Sequence, residues 1–204
     1  MGVNLTKGFG NATIGYLEWS GGRRASLADD AYQDGVDNHV LPATPPIPVT
    51  GTESFANDLA VGVGYTTKIG IHFDLEYDYH QAAFSTADWR RWFGSGIGAD
   101  ALTRSGLWFL REYADDQQEP MARSSLFLSA DWRNAFVRDL TVTAFVDTDL
   151  RDGSGAGQVA VDYFLSPAWT IGGLMDFNGG RARSDFGSLP QDTRVLLKLT
   201  RYFQ

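Results

Sequence analysis

Between Ile69 and His80, every second residue is apolar or aromatic. Ile69, Ile71, Phe73, Leu75, Tyr77 and Tyr79 alternate with Gly70, His72, Asp74, Glu76, Asp78 and His80. A period of two is the repeat of a strand with one greasy and one polar face, not the 3.6-residue repeat of a helix. At ~3.3 Å per residue the run extends ~40 Å, about twice the ~17–20 Å of a strand in a globular domain. That length suits a strand tilted across a bilayer, and tyrosines at its far end suit an aromatic girdle at the membrane surface.

The alternation recurs along the chain. Leu59, Val61, Val63 and Tyr65 share one parity, as do Leu126, Leu128, Ala130 and Trp132, and Leu140, Val142, Ala144 and Val146. Val159, Val161, Tyr163 and Leu165 follow, then Trp169, Ile171, Met175 and Phe177, then Val195, Leu197, Leu199 and Phe203. An N-terminal strand over roughly Leu5 to Trp19 completes a count of about eight; its apolar residues fall on both parities, as a bulge would produce. The connectors alternate between short (66–68, 134–139, 166–168) and longer (20–54, 81–121, 150–157, 179–192). Short turns on one side and longer loops on the other are the asymmetry of a membrane barrel, and an even strand count puts both termini on the short-turn side. Within the loop 81–121, Ser85-Thr86-Ala87-Asp88 reads as a helix N-cap before Trp89, Trp92 and Phe93; Leu102 to Tyr113 reads as a second helix or an extra strand pair. Leu41 to Val49, with four prolines, reads as irregular or extended.

Composition narrows the function. No apolar run of 18 residues exists, so no transmembrane helix is expected, but a membrane strand needs only about 9–11 residues with alternate ones apolar. A net charge of −8 argues against nucleic-acid binding, and the absence of Cys excludes disulfides and thiolate chemistry. The first residues lack the basic segment and apolar run of an export signal, so the expectation is a removed leader, a substituted initiator Met, or a fragment.

The last residues, Arg194-Val195-Leu196-Leu197-Lys198-Leu199-Thr200-Arg201-Tyr202-Phe203-Gln204, resemble the C-terminal strand of Gram-negative outer-membrane β-barrel proteins. Asp152-Gly153-Ser154-Gly155 is similar to hairpin loops near the C-termini of porin-like barrels. The resemblance implies location in the cell outer membrane, contact with its lipid and lipopolysaccharide, and Leu199, Tyr202 and Phe203 as a signal for the barrel-assembly machinery.

Soluble barrels such as lipocalins also alternate, with the apolar face inward. Mid-strand charges at Asp74 and Glu76, the aromatic strand ends and the closing strand favour the inverted arrangement. In it, His72, Asp74, Glu76, Asp78, Asp147, Asp162 and Asp176 line the lumen, joined by Asp131 and Asp149 and partly offset by Arg194 and Lys198. An acidic lumen favours cations if it is wet; eight strands enclose only enough space for side chains, and a larger barrel would hold water. His72 and His80 lie ~26 Å apart along a strand and cannot share a metal ion. Trp89, Arg90, Arg91 and Trp92 fit a constriction, a contact with lipopolysaccharide phosphates or a partner grip; the plainer reading is an amphipathic helix on the rim.

The sequence therefore predicts an all-β chain, residues 1–204 forming one antiparallel transmembrane β-barrel domain, whole or part of a larger barrel, with a partly helical outer loop. The expected role is a porin-like passive channel without cofactor, metal or catalytic residues. The alternatives are a non-conducting barrel that binds a protein partner through loops 20–54 and 81–121, and an outer-membrane lipid-modifying enzyme or protease.

Overall fold

The structure, a computed structural model, describes residues 1–41 and 49–203, which leaves most of the proline-rich 41–49 stretch outside the described residues. It is all-β in class, built on an open, antiparallel sheet whose nine strands follow chain order. They are β1 (Gly2–Phe9), β2 (Thr13–Arg24), β3 (Ser54–Thr66), β4 (Ile71–His80), β5 (Ser124–Arg133), β6 (Leu140–Asp149), β7 (Gly155–Ser166), β8 (Trp169–Gly179) and β9 (Thr193–Arg201). Among the described residues, three α-helices occupy the two longest connectors: α1 (Leu27–Asp37), α2 (Thr86–Gly96) and α3 (Ala101–Asp116).

The count of about eight strands is corrected to nine. The expected N-terminal strand is a hairpin, broken at Gly10, whose φ of 65° is a left-handed turn conformation that glycine adopts without a Cβ clash. The mixed parity of its apolar residues records this break, not a bulge. With 10–12 as an added short turn, the expected strict alternation of short and long connectors does not hold: 150–154, between β6 and β7, is shorter than 134–139, between β5 and β6. An odd count also starts β1 at the long-connector end and finishes β9 at the short-turn end, so the termini do not share a side.

The chain forms two compact units. Unit 1 comprises Met1–Val3, Trp19–Leu59 and Tyr79–Ser124, and it contains the helices. Its core is Leu27, Ala31, Phe84, Trp89, Trp92, Leu107, Leu110 and Ala114, with Phe93 and Tyr113 packed against it. Helix α2 starts where expected, at a capping box: the Ser85 hydroxyl accepts from the Asp88 N–H at 3.3 Å, and the Ser85 N–H donates to the Asp88 carboxylate at 2.9 Å. Leu102 to Tyr113 lies within α3, which settles it as helix, not a strand pair.

Unit 2 comprises Asn4–Glu18, Ala60–Asp78 and Ser125–Gln204. From β5 to β9, the strand register lines up the apolar parities of neighbouring strands. One row across the sheet is Leu128, Val146, Gly157, Phe177; the next is Ala130, Ala144, Val159, Met175, Val195; the next Trp132, Val142, Val161, Gly173, Leu197. Leu140, Tyr163, Ile171 and Leu199 form a fourth. This face is uncovered: Leu128 is 46% exposed, Met175 42% and Leu199 64%. Among the described residues of unit 2, Ala135 is the sole buried hydrophobic side chain.

Candidate functional site

The opposite face of unit 2 carries the polar residues of each strand, and it holds the seven predicted lumen positions. On β4, His72 Nε2 is 2.9 Å from the Asp74 carboxylate, and its Nδ1 lies 2.9 Å from the Thr66 hydroxyl. Further along, Glu76 is hydrogen-bonded to both Asp78 and the Tyr16 hydroxyl, and Asp147 on β6 lies close enough to Asp78 for the two to repel. Tyr16 reaches this group by lying over Gly62, where any Cβ would come within 2.3 Å of its ring. The Asp162 carboxylate rests over Gly172, in one register row with Lys198.

Asp176 differs from the others because it is neutralised. Arg194 meets its Oδ2 with Nε at 2.7 Å and Nη2 at 2.5 Å, and Gln158 donates to its Oδ1 at 2.7 Å. Planar guanidinium against carboxylate is the strong, directional form of an ion pair. The acidic character of this face therefore concentrates at Glu76, Asp78 and Asp147. Beside Asp176 the same face bears two phenylalanines: Phe127 and Phe145 stack with centroids 5.7 Å apart and planes at 29°. Phe145 borders a cavity of about 300 Å³. Phe127 and Phe145 and the Tyr16 contact were not singled out from sequence. The available signal was two Phe out of phase with the apolar parity of their strands.

At the long-connector end of unit 2, two loops interlock. The Asp185 N–H donates to Asp152 Oδ2 at 2.9 Å, and the Phe186 N–H donates to Ser154 Oγ at 3.2 Å. Arg151 bridges Asp149, at 2.9 Å, and Asp152. Partial burial works against ionisation of Asp152. The Ser154 hydroxyl, the Ser154 and Asp185 N–H groups and Arg151 outweigh it and hold its pKa below the ordinary carboxylate value.

In unit 1, Asp58 is a hub. Its carboxylate accepts from Arg24 and from the Ser20 hydroxyl at 3.2 Å, and faces His80 Nδ1 at 3.3 Å. Next to it, Trp19 Nε1 donates to Asn57 Oδ1 at 3.1 Å, and the Asn57 amide donates to Gln81 at 2.7 Å. Ser, His and Asp thus meet, but the hydroxyl is bound to the carboxylate, whereas nucleophilic activation needs it on the imidazole. Among the described residues, no group of three or more His, Asp or Glu has the arrangement to hold a metal ion.

Of the predicted loop contacts, Trp89 is 1% exposed and Trp92 6%, both inside the unit 1 core; Arg90 and Arg91 remain at the surface. Trp92 Nε1 donates to the Leu107 carbonyl at 3.2 Å. Periodicity made α2 amphipathic, and the structure turns its indoles inward. The predicted assembly residues are exposed: Leu199 on the apolar face, with Tyr202 and Phe203 beyond β9. The Arg201 guanidinium lies 5.4 Å from the Trp169 ring centre and 4.7 Å from that of Phe203.

No family model matches the chain, and no curated protein or solved structure does.

Proposed function

We propose that this chain is an outer-membrane β-barrel region that serves as a porin-like passive conduit for polar solutes, without catalysis of its own. The observation that carries this reading is the apolar face of β5–β9. Register gathers alternate residues of five strands onto one surface, and no buried hydrophobic cluster of unit 2 covers it. An exposed apolar surface on this scale is costly in water and is met by lipid. The polar face then addresses the solute, with Asp74, Glu76, Asp78 and Asp147 setting a preference for cations. In this reading the exposed Arg90 on α2, with Arg91 beside it in an ion pair with Asp88, supplies the cationic contact to lipopolysaccharide phosphates.

Reconstitution tests the reading. The chain is expected to require detergent for monodispersity, to insert into lipid vesicles, and to give discrete current steps in a planar bilayer with cation preference. Glu76→Gln with Asp78→Asn should lower that preference clearly; Asp176→Asn should change it less, because Arg194 already neutralises it. Monodisperse behaviour in plain buffer would overturn the membrane reading. A second reading, a partner-binding barrel, is favoured by unit 1, whose helices have their own core and which exposes Leu102 on α3 together with Val40 and Ile97 in the segments that follow α1 and α2. Insertion without current would put it ahead.

A further inference from the structure

We infer that the cavity beside Phe145 is a subsite for an uncharged, hydroxylated solute of sugar type. The inference rests on the reading above in one respect: the polar face is the one that meets solute. Register places Phe145, Gln158, Asp176 and Arg194 in a single row across β6 to β9, with Asp147, Ala156 and Asn178 in the row alongside. Ala156 is the small residue of that second row, and the space above it is the cavity of about 300 Å³, bounded by Phe145, Asp176, Asn178, Asp192, Thr193 and Arg194. That volume is at the lower end of small-molecule pockets, ~300–1,000 Å³.

The chemistry of the walls selects the ligand. Phe145 is half-buried and braced from behind by Phe127, so one ring presents a fixed apolar surface within a polar face. An aromatic face takes the C–H side of a pyranose ring. The opposite wall offers hydrogen-bonding groups whose paired charges cancel: Asp176 and Arg194 form an ion pair, Gln158 completes the Asp176 shell, the Asn178 amide is held by the Gln191 carbonyl at 2.9 Å, and the further carboxylate of the lining, Asp192, is exposed to solvent. Vicinal hydroxyls both donate and accept, and so can bridge the paired carboxylate and guanidinium without separating them. An anionic solute faces Asp192 and must break the Asp176–Arg194 pair to find a counter-charge, which is costly, and a cationic one finds only the hydrated Asp192, where an exposed ion pair gains little.

Ligand-observed NMR on the full chain in detergent, with glucose and cellobiose as probes and glucosamine and glucuronate as charged comparators, tests this. The expected result is saturable, weak binding of the neutral sugars, with glucosamine and glucuronate bound less well. Phe145→Leu, which keeps bulk but removes the ring, should weaken binding about tenfold; Phe145→Tyr should retain it. Asn178→Ala should also weaken it, and heat-modifiable gel mobility reports folding for each variant. No saturable binding, binding unchanged in Phe145→Leu, or tighter binding of either charged comparator would overturn the inference. Because binding is read in detergent, it is separable from conduction. Sugar binding by a chain that never inserts sinks the channel alone, and conduction without sugar binding sinks the subsite alone.

Discussion

Asp29 illustrates how single residues hold unit 1 together. It is almost fully buried, and its Oδ1 accepts from the Thr50 N–H at 2.6 Å and the Gly51 N–H at 3.0 Å, while Oδ2 accepts from the Ser26 hydroxyl at 2.8 Å and the Thr50 hydroxyl at 2.9 Å. Burial opposes its ionisation, but these four donors outweigh it and hold the pKa below the ordinary carboxylate value. A depressed carboxylate pKa contributes stability that is present above the unfolded pKa, ~3.9, and is lost as pH falls through the folded one. Hydrogen-exchange protection of the Thr50 and Gly51 amides, corrected for intrinsic rates, should therefore be flat from neutral pH to about 4 and fail only below it. Asp29→Ala leaves two partly buried N–H donors without their acceptor, at ~1–3 kcal/mol each, and should abolish that protection at every pH. Unchanged protection in Asp29→Ala would show that the anchoring lies elsewhere.

At the scale of elements, α2 and α3 make the strongest claim on packing. Trp89 sits 5.3 Å from Phe84, 5.9 Å from Trp92 and 5.6 Å from Phe93, ring centre to ring centre. Trp89→Ala empties the middle of this cluster and should cost ~3–5 kcal/mol. Helical circular dichroism should fall and tryptophan emission shift to the red, while β-sheet signal and heat-modifiable mobility persist; simultaneous loss of both signals would contradict the separation into two units. The start of α2 was readable because a capping box is a local signal, four residues long. Helix α1 was not. Its inward positions are mostly small, Ala28, Ala31 and Gly35 beside Leu27, so little apolar periodicity marks it, and its stability comes from tertiary packing. The same limit governs the candidate site. Alternation told which residues of one strand share a face, so the acidic ladder on β4 was legible. Which residues of different strands share a row depends on register, and hence the Asp176–Arg194 pairing and the setting of Phe145 emerged only with the fold.

For the whole sheet, strand parity has a consequence at its edges. Adjacent strands alternate in direction, so in a nine-stranded antiparallel meander β1 and β9 run the same way. Joining them would create a parallel seam, whereas an all-antiparallel barrel closes only with an even number. Two copies inserted in the same orientation do not help, since every new seam would again be parallel. Every residue of β1 is exposed, and every residue of β9 but Thr200. Edge N–H and C=O groups left open in hydrocarbon cost several kcal/mol each, so under the proposed membrane function the edges of this chain must stay hydrated or be covered by strands running opposite to both. Hydrogen exchange on the detergent-solubilised chain should accordingly rank strands paired on both sides, such as β6, β7 and β8, as slowest, with the outward-facing amides of β1 and β9 exchanging faster by orders of magnitude. Cysteines at Leu5 and Leu197 should not form an intramolecular disulfide. Equal protection of β1 and β7, together with an efficient Leu5→Cys to Leu197→Cys cross-link, would mean that a parallel seam closes the sheet on itself.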